Sequence, residues 1–285
     1  MVTFERPART GRVTLPGVDM HYLDWPERAP GGVPIVLLHP NRTNARVFDL
    51  VVEASRLGNR FIAPDQRGHG RSSYPEAGYQ LDDYVADDLA FLDALDLTRV
   101  VLVGAATGGN LALLIASRFP ARVAGLVVAD PGLSLDPAIN ARVQAQIAGE
   151  YVFPDLATAR SRMPFSARWS EAMREHYAAH SFAVSDTGEA TWRYKQAAAQ
   201  ETEAALEADM WDVIDVTCPA LLLRGAHSEV FPADKMDRLA EIVPQASVVA
   251  VDGCDHRISQ DNPTEMARLL DDFVENHGLA ASDAS

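Results

Sequence analysis

The chain has 285 residues, 47% apolar and 23% charged, enough to bury a large core in one elaborated α/β domain. Its 40 acidic residues outnumber 25 basic ones, giving a formal charge of −15, and the basic residues are scattered, which argues against nucleic acid as a partner. No window approaches the roughly 20 apolar residues of a membrane span. The opening MVTFERPARTGRVTLPG lacks an apolar run of signal-peptide length, and Cys218 and Cys254 suggest neither a disulfide framework nor a metal-ligand pair. The expectation is a cytoplasmic protein with two ordinary buried thiols.

In chain order, residues 33–39 (VPIVLLH), 60–65 (RFIAPD), 99–104 (RVVLVG), 123–130 (VAGLVVAD), 219–225 (PALLLRG) and 246–253 (ASVVAVDG) read as buried strands. Each is nearly continuous in Val, Leu, Ile and Ala, as strands covered on both faces are. Helical patterns at 81–95, 110–119 and 263–277 alternate with them, which predicts a mostly parallel sheet with helices on both faces. Residues 133–209 break the rhythm. They carry helical patterns, such as SARWSEAMREHYAAH and EATWRYKQAAAQETEAAL, and no convincing strand. The predicted organisation is therefore a core formed by 1–132 and 210–285, with a helical cap inserted at 133–209.

In such sheets reactive groups belong at the carboxyl ends of strands. Four segments stand there: LLHPNRTN, APDQRGHGRSSYP, the turn in VLVGAATGG, and VDGCDHRISQDNP. Taken together, in this order and across most of the chain, they resemble the α/β-hydrolase family. That resemblance implies a nucleophile on a tight Gly-x-Ser-x-Gly turn between a strand and a helix. Here Gly104, Ala106 and Gly108 hold the first, third and fifth places, so alanine stands at the nucleophile position. A slip of one residue would promote Thr107 with Ala105 and Gly109 as flanks, but the strand and the Gly-Gly frame favour Ala106. In that frame the Thr107 backbone N–H lies in the oxyanion hole, at a helix start that favours negative charge.

The resemblance makes His256, in the terminal Gly-x-x-His segment, the general base. For the orienting acid two sites compete. The usual one, three residues after the glycine that ends the penultimate strand, holds Ser228, with Glu229 one step off; the alternative, after the strand that follows the nucleophile's helix, holds Asp130. Asp130 is the assigned acid, against the plainer reading that it only turns the chain before Pro131. Asn41 supplies the second oxyanion N–H, although Pro40 departs from the family's glycine and fixes φ in that loop. His39 and His69 are read as scaffold, as are Asp65 and Arg67, which are expected to bond local backbone. His176 and His180 share one helix face and offer a zinc-ligand spacing, but with no further ligand in view they are read as part of a solvated cap helix.

Within the family, the core segments and the acid after the earlier strand are similar to an amide-cleaving subgroup whose substrate carries two carboxylates; the cap is not. This implies arginines in the pocket, with Arg42, Arg142, Arg160, Arg162 and Arg168 available. Arg42 is assigned to substrate, together with the cap aromatics Trp169, Tyr177 and Trp192; Phe182 and Tyr194 add to the aromatic content. The functional expectation is a serine-type hydrolase of an ester, lactone or amide in a small, partly apolar or aromatic substrate, inactivated by alanine at position 106. Two alternatives stay open. One is an enzyme that needs no nucleophile and uses His256 and Asp130 as a base pair for lyase or cofactor-free oxygen chemistry; the other is a ligand-binding receptor on the same scaffold. No metal or organic cofactor is implied. The expected partner is a small-molecule substrate, with no nucleic acid and no membrane, and a homodimer is left open.

Overall fold

The computed structural model describes residues 4–164, 166 and 168–281. The chain opens with a hairpin, β1 (Arg9–Leu15) and β2 (Val18–Trp25), turned at Gly17, whose φ of 82° is strained for other residues. There follow β3 (Ile35–Leu38), α1 (Asp49–Ala54), β4 (Phe61–Pro64), α2 (Leu81–Ala94), β5 (Val100–Ala105), α3 (Thr107–Arg118) and β6 (Val123–Ala129). The insertion carries α4 (Pro137–Ile147), β7 (Val152–Phe153), α5 (Leu156–Arg162), α6 (Glu171–Ser181), β8 (Phe182–Val184), β9 (Ala190–Trp192) and α7 (Gln196–Ala205). The core resumes with β10 (Ala220–Gly225), α8 (Ala233–Ile242), β11 (Ala246–Val251), α9 (Ile258–Asp261) and α10 (Pro263–Asn276).

The described residues form an eight-stranded sheet in the order β1-β2-β4-β3-β5-β6-β10-β11, parallel from β4 to β11. Alternate side chains of its central strands enter two separate cores. Val36, Leu38, Leu102, Leu126, Val128 and Leu222 face one, with Leu111 and Ile115 of α3; Ile35, Leu37, Val101, Val103, Val127 and Leu223 face the other, with Phe273 and Val274 of α10. Helix α10 buries Met266, Leu269, Leu270, Phe273 and Val274, a spacing that puts one apolar stripe against the sheet. Its start is capped by the Asn262 side chain, which accepts from Glu265 N at 3.2 Å.

All six predicted strands are present, and the α/β-hydrolase architecture is as expected. Three details differ. The β1–β2 hairpin was not anticipated, because its first strand alternates polar and partly exposed residues and lacks a continuous apolar run. Strand β11 lies at the sheet edge and is largely exposed, in place of the two-sided burial its sequence suggests. The insertion is not purely helical: β7, β9 and β8 form a small antiparallel sheet, and the helical reading of 189–206 fails at β9. Phe153, Phe182 and Ala190 pack there as a separate small core, which pairs short strands whose own propensity is weak. Among the described residues, no helix is long and apolar enough to cross a membrane.

Candidate active site

The turn between β5 and α3 places Ala106 at the N-cap of α3 with φ 49° and ψ −118°, a conformation that non-glycine residues seldom hold. It is sustained by close backbone packing on both sides. A Cβ on Gly104 would lie 2.1 Å from Gly108 O, and one on Gly108 would lie 2.1 Å from Leu38 O, so glycine is required at both flanks. The strained residue between those glycines is Ala106, and Thr107 falls at the first helical position. The backbone N–H groups of Thr107 and Asn41 are free of hydrogen-bond partners among the described residues, and both residues line the same cavity.

Asp130, at the end of β6, is fully buried and adopts φ 48°. Its Oδ1 lies 2.7 Å from His256 Nδ1 and accepts from Ser228 Oγ at 2.7 Å, while Oδ2 accepts from the Gly225 N–H at 2.8 Å. Those contacts replace the simple turn-forming role that was the alternative for this residue. In the neutral tautomer that donates Nδ1–H to Asp130, Nε2 is the acceptor, the form a general base takes. Its side chain is 29% exposed.

The loop after β3 is held by histidines. His39 Nε2 accepts from Gln66 N at 3.0 Å, so Nδ1 carries the proton and donates to Pro40 O at 2.8 Å. His69 Nδ1 donates to Arg67 O at 2.9 Å, and Nε2 accepts from Arg42 N. Burial pushes the pKa of His69 down to about 3, with the nearby His39 adding to the effect, so it is a neutral strut. Asn41 Nδ2 donates to Ala199 O and to Glu203 Oε2 at 2.9 Å, which ties the loop to α7 of the cap. The side chain of Asp65 accepts backbone N–H groups of Ala45 and Arg71, as expected, and also meets His21 at 2.8 Å. Arg67 departs from expectation: besides Gly78 O it forms a two-pronged pair with Asp87, at 2.6 Å on each side.

The cavity has a volume of about 570 Å³ and is bounded by Ala106, Thr107, Asn41 and His256 on the core side. Arg42, Trp169, Tyr177 and Trp192, all assigned to substrate from sequence, line it, as does Tyr194. The other arginines separate. Arg162 reaches the cavity wall, whereas Arg142, Arg160 and Arg168 pair with Glu229, Glu171 and Asp255. Phe182 packs inside the cap. Arg257 was missed because it is one arginine in a loop; its position directly after His256 is the signal that would have found it. It lies over the Trp169 ring at 5.2 Å and donates to Pro164 O at 2.7 Å. Neither Arg42 nor Arg257 has a carboxylate within ion-pair distance among the described residues, and Arg42 Nε is buried without a partner. Burial lowers the pKa of Arg257 and the nearby Arg42 adds to this, while Asp261 and Asp255 offset part of it.

The reading of His176 as solvated is also corrected: it is 7% exposed, and its Nε2 lies 3.0 Å from Asp49 Oδ2. Cys218 and Cys254 are buried free thiols, as expected.

A nucleophile-type elbow, a histidine held by a buried carboxylate, and two free N–H groups around one capped cavity define a hydrolase-type scaffold. Residues 33–263 match the family model described as alpha/beta hydrolase fold, and the chain belongs to that family. It is 29% identical over 270 residues to 2-(acetamidomethylene)succinate hydrolase of Mesorhizobium japonicum, covering 90% of this chain and 94% of that one. It is 30% identical over 286 residues to a non-heme chloroperoxidase of Streptomyces lividans, covering 92% and 98%. The crystal structure of E-2-(acetamidomethylene)succinate hydrolase superposes with a TM-score of 0.84 at 25% identity, covering 94% of this chain and 99% of that one.

Proposed function

We propose that this chain is a serine-type hydrolase of a small, carboxylate-bearing ester, lactone or amide, present here with alanine at the nucleophile position. The observation that carries the proposal is His256, held by the buried Asp130, beside a strained elbow whose central residue lacks only a hydroxyl. With serine at 106, His256 Nε2 takes the hydroxyl proton as the oxygen bonds to the substrate carbonyl carbon. The N–H groups of Asn41 and Thr107 hold the oxyanion, and Asp130 steadies the imidazolium. The same proton then passes to the leaving oxygen or nitrogen as the C–O or C–N bond breaks. Water, deprotonated by His256, releases the acyl group and restores the serine.

The carboxylate is supported by charge. Arg42 and Arg257 both line the cavity and, among the described residues, neither forms a direct ion pair, so each is available to an anionic ligand. The relative from M. japonicum is named for a succinate, which agrees with this reading. Trp169, Tyr177 and Trp192 would cover the apolar body of the substrate, and the buried Tyr177 hydroxyl, which has no hydrogen-bond partner among the described residues, is available to it.

Hydrolysis of paired esters, lactones and enamides, with and without a carboxylate, by Ala106→Ser tests the proposal. Turnover of the carboxylate members supports it; inertness on every class sinks it. The intact Asp130–His256 pair also favours a second reading, in which His256 abstracts a substrate proton and the oxyanion N–H groups hold an enolate. Turnover by the Ala106 chain itself would select that reading. Ligand binding with no turnover by either chain would select a receptor.

A further inference from the structure

Where the cap helix α6 meets the start of α1, three metal-binding groups converge. His176 and His180 are four residues apart on one face of α6, and Asp49 is the first residue of α1 in the core. One ligand atom from each lies within 4.8 Å of the other two. Asp49 is 2% exposed and His176 7%, while His180 is half-buried.

The arrangement is poorly explained by hydrogen bonding alone. His176 Nε2 approaches Asp49 Oδ2 to 3.0 Å, yet it has no aligned hydrogen-bond partner among the described residues. A buried ring nitrogen thus faces a carboxylate without a proper N–H···O line between them. The second ring lies beside the first, with centroids 4.9 Å apart at 73°.

We propose that Asp49, His176 and His180 form a binding site for a divalent transition metal of the zinc class, which pins the cap to the core. Two imidazoles and one carboxylate suit such an ion, whereas calcium and magnesium take more oxygens than are present. Bonds of about 2.1 Å put tetrahedral ligand atoms roughly 3.4 Å apart; His176 Nε2 and Asp49 Oδ2, at 3.0 Å, already stand near that spacing, and the longest separation in the trio, within 4.8 Å, shortens as the ion binds. His180 lines both the main cavity and a small recess beside His21, Asp65 and Arg71. The competing charge is Arg46, whose Nη1 sits 3.3 Å from both Asp49 oxygens. Its side chain is a quarter exposed and lines the cavity, so it has room to swing away when a dication takes the carboxylate. This site is independent of the elbow and of the identity of residue 106.

The test uses the full chain, stripped with a chelator, then titrated with Zn²⁺ by calorimetry and with Co²⁺ by visible absorption. One ion per chain, a tetrahedral Co²⁺ spectrum and a rise in Tm with Zn²⁺ are expected. His180→Ala, which changes a half-buried surface, keeps the fold and weakens binding at least about a hundredfold, since even groups that merely orient ligands are worth roughly 10–100-fold. Arg46→Gln tightens binding by removing the competitor. Absence of stoichiometric binding, or equal affinity in folded His180→Ala, overturns the site; an Arg46→Gln chain that binds no tighter overturns Asp49 as a ligand.

Discussion

Ser228 Oγ donates a 2.7 Å hydrogen bond to Asp130 Oδ1, the same oxygen that lies 2.7 Å from His256 Nδ1. Two positions that competed for the acid in the sequence are thus joined: the acid sits after β6, and the loop after β10 supplies a hydroxyl and the Gly225 N–H that hold it.

In the Ala106→Ser background, removing that hydroxyl by Ser228→Ala leaves Asp130 short of one donor at a cost of about 1–2 kcal/mol, and kcat falls roughly 5–30-fold with KM nearly unchanged. Asp130→Asn, which can no longer hold the correct imidazole tautomer, lowers kcat on the order of 10⁴-fold. Steady-state kinetics on both variants check this. Full activity in Asp130→Asn would remove Asp130 from its assigned role.

The elbow glycines have a stability signature. Gly108→Ala drives a Cβ to 2.1 Å from Leu38 O, a backbone atom in the middle of the sheet that cannot move aside. Overpacking of this kind costs about 1–3 kcal/mol or more. Thermal unfolding should show Tm lowered by roughly 2–12 °C, given about 2–4 °C per kcal/mol for domains near this size. An unchanged Tm would contradict the packing described for the turn.

Charge at the cavity sets substrate preference. Arg42→Gln and Arg257→Gln each raise KM for a carboxylate-bearing substrate of the Ala106→Ser enzyme by about tenfold, since a charge-assisted hydrogen bond is worth about 1.5–3 kcal/mol. The KM for the neutral analogue stays within about twofold. Equal losses on both substrates would mean that the arginines only support the cavity wall.

Asp88 predicts a pH effect. It is 4% exposed, its Oδ2 has no partner among the described residues, and burial, with the neighbouring Asp87 adding, holds its pKa well above the ordinary value. The folded chain therefore keeps a proton that the unfolded chain releases, so this group costs stability as pH rises above the unfolded pKa. Asp88→Asn should raise Tm by a few degrees at neutral pH and flatten its decline from acid to neutral. A lower Tm across that range would contradict the assignment.

The parallel sheet was legible because its strands, covered on both faces, are continuous apolar runs, and the elbow because steric crowding admits only glycine at 104 and 108. Asp130 and His256 were readable from their place at strand ends within a known pattern. The cap was not. Phe153 and Ala190 become strand residues only through contacts with Phe182, and no local pattern encodes that pairing. Arg257 and the burial of His176 were missed for a related reason. Whether an arginine faces a cavity or a histidine meets Asp49, 127 positions earlier, depends on how the cap sits on the core.

The central claim is that position 106 is a nucleophile site served by His256. The most direct measurement is the intact mass of Ala106→Ser after incubation with a serine-reactive phosphonate, alongside the Ala106 chain and Ala106→Ser/His256→Ala. A single adduct on residue 106 is expected for the first, none for the second, and strongly slowed labelling for the third. If Ala106→Ser takes no label, or labels equally fast without His256, position 106 is not an activated nucleophile site and the hydrolase reading falls.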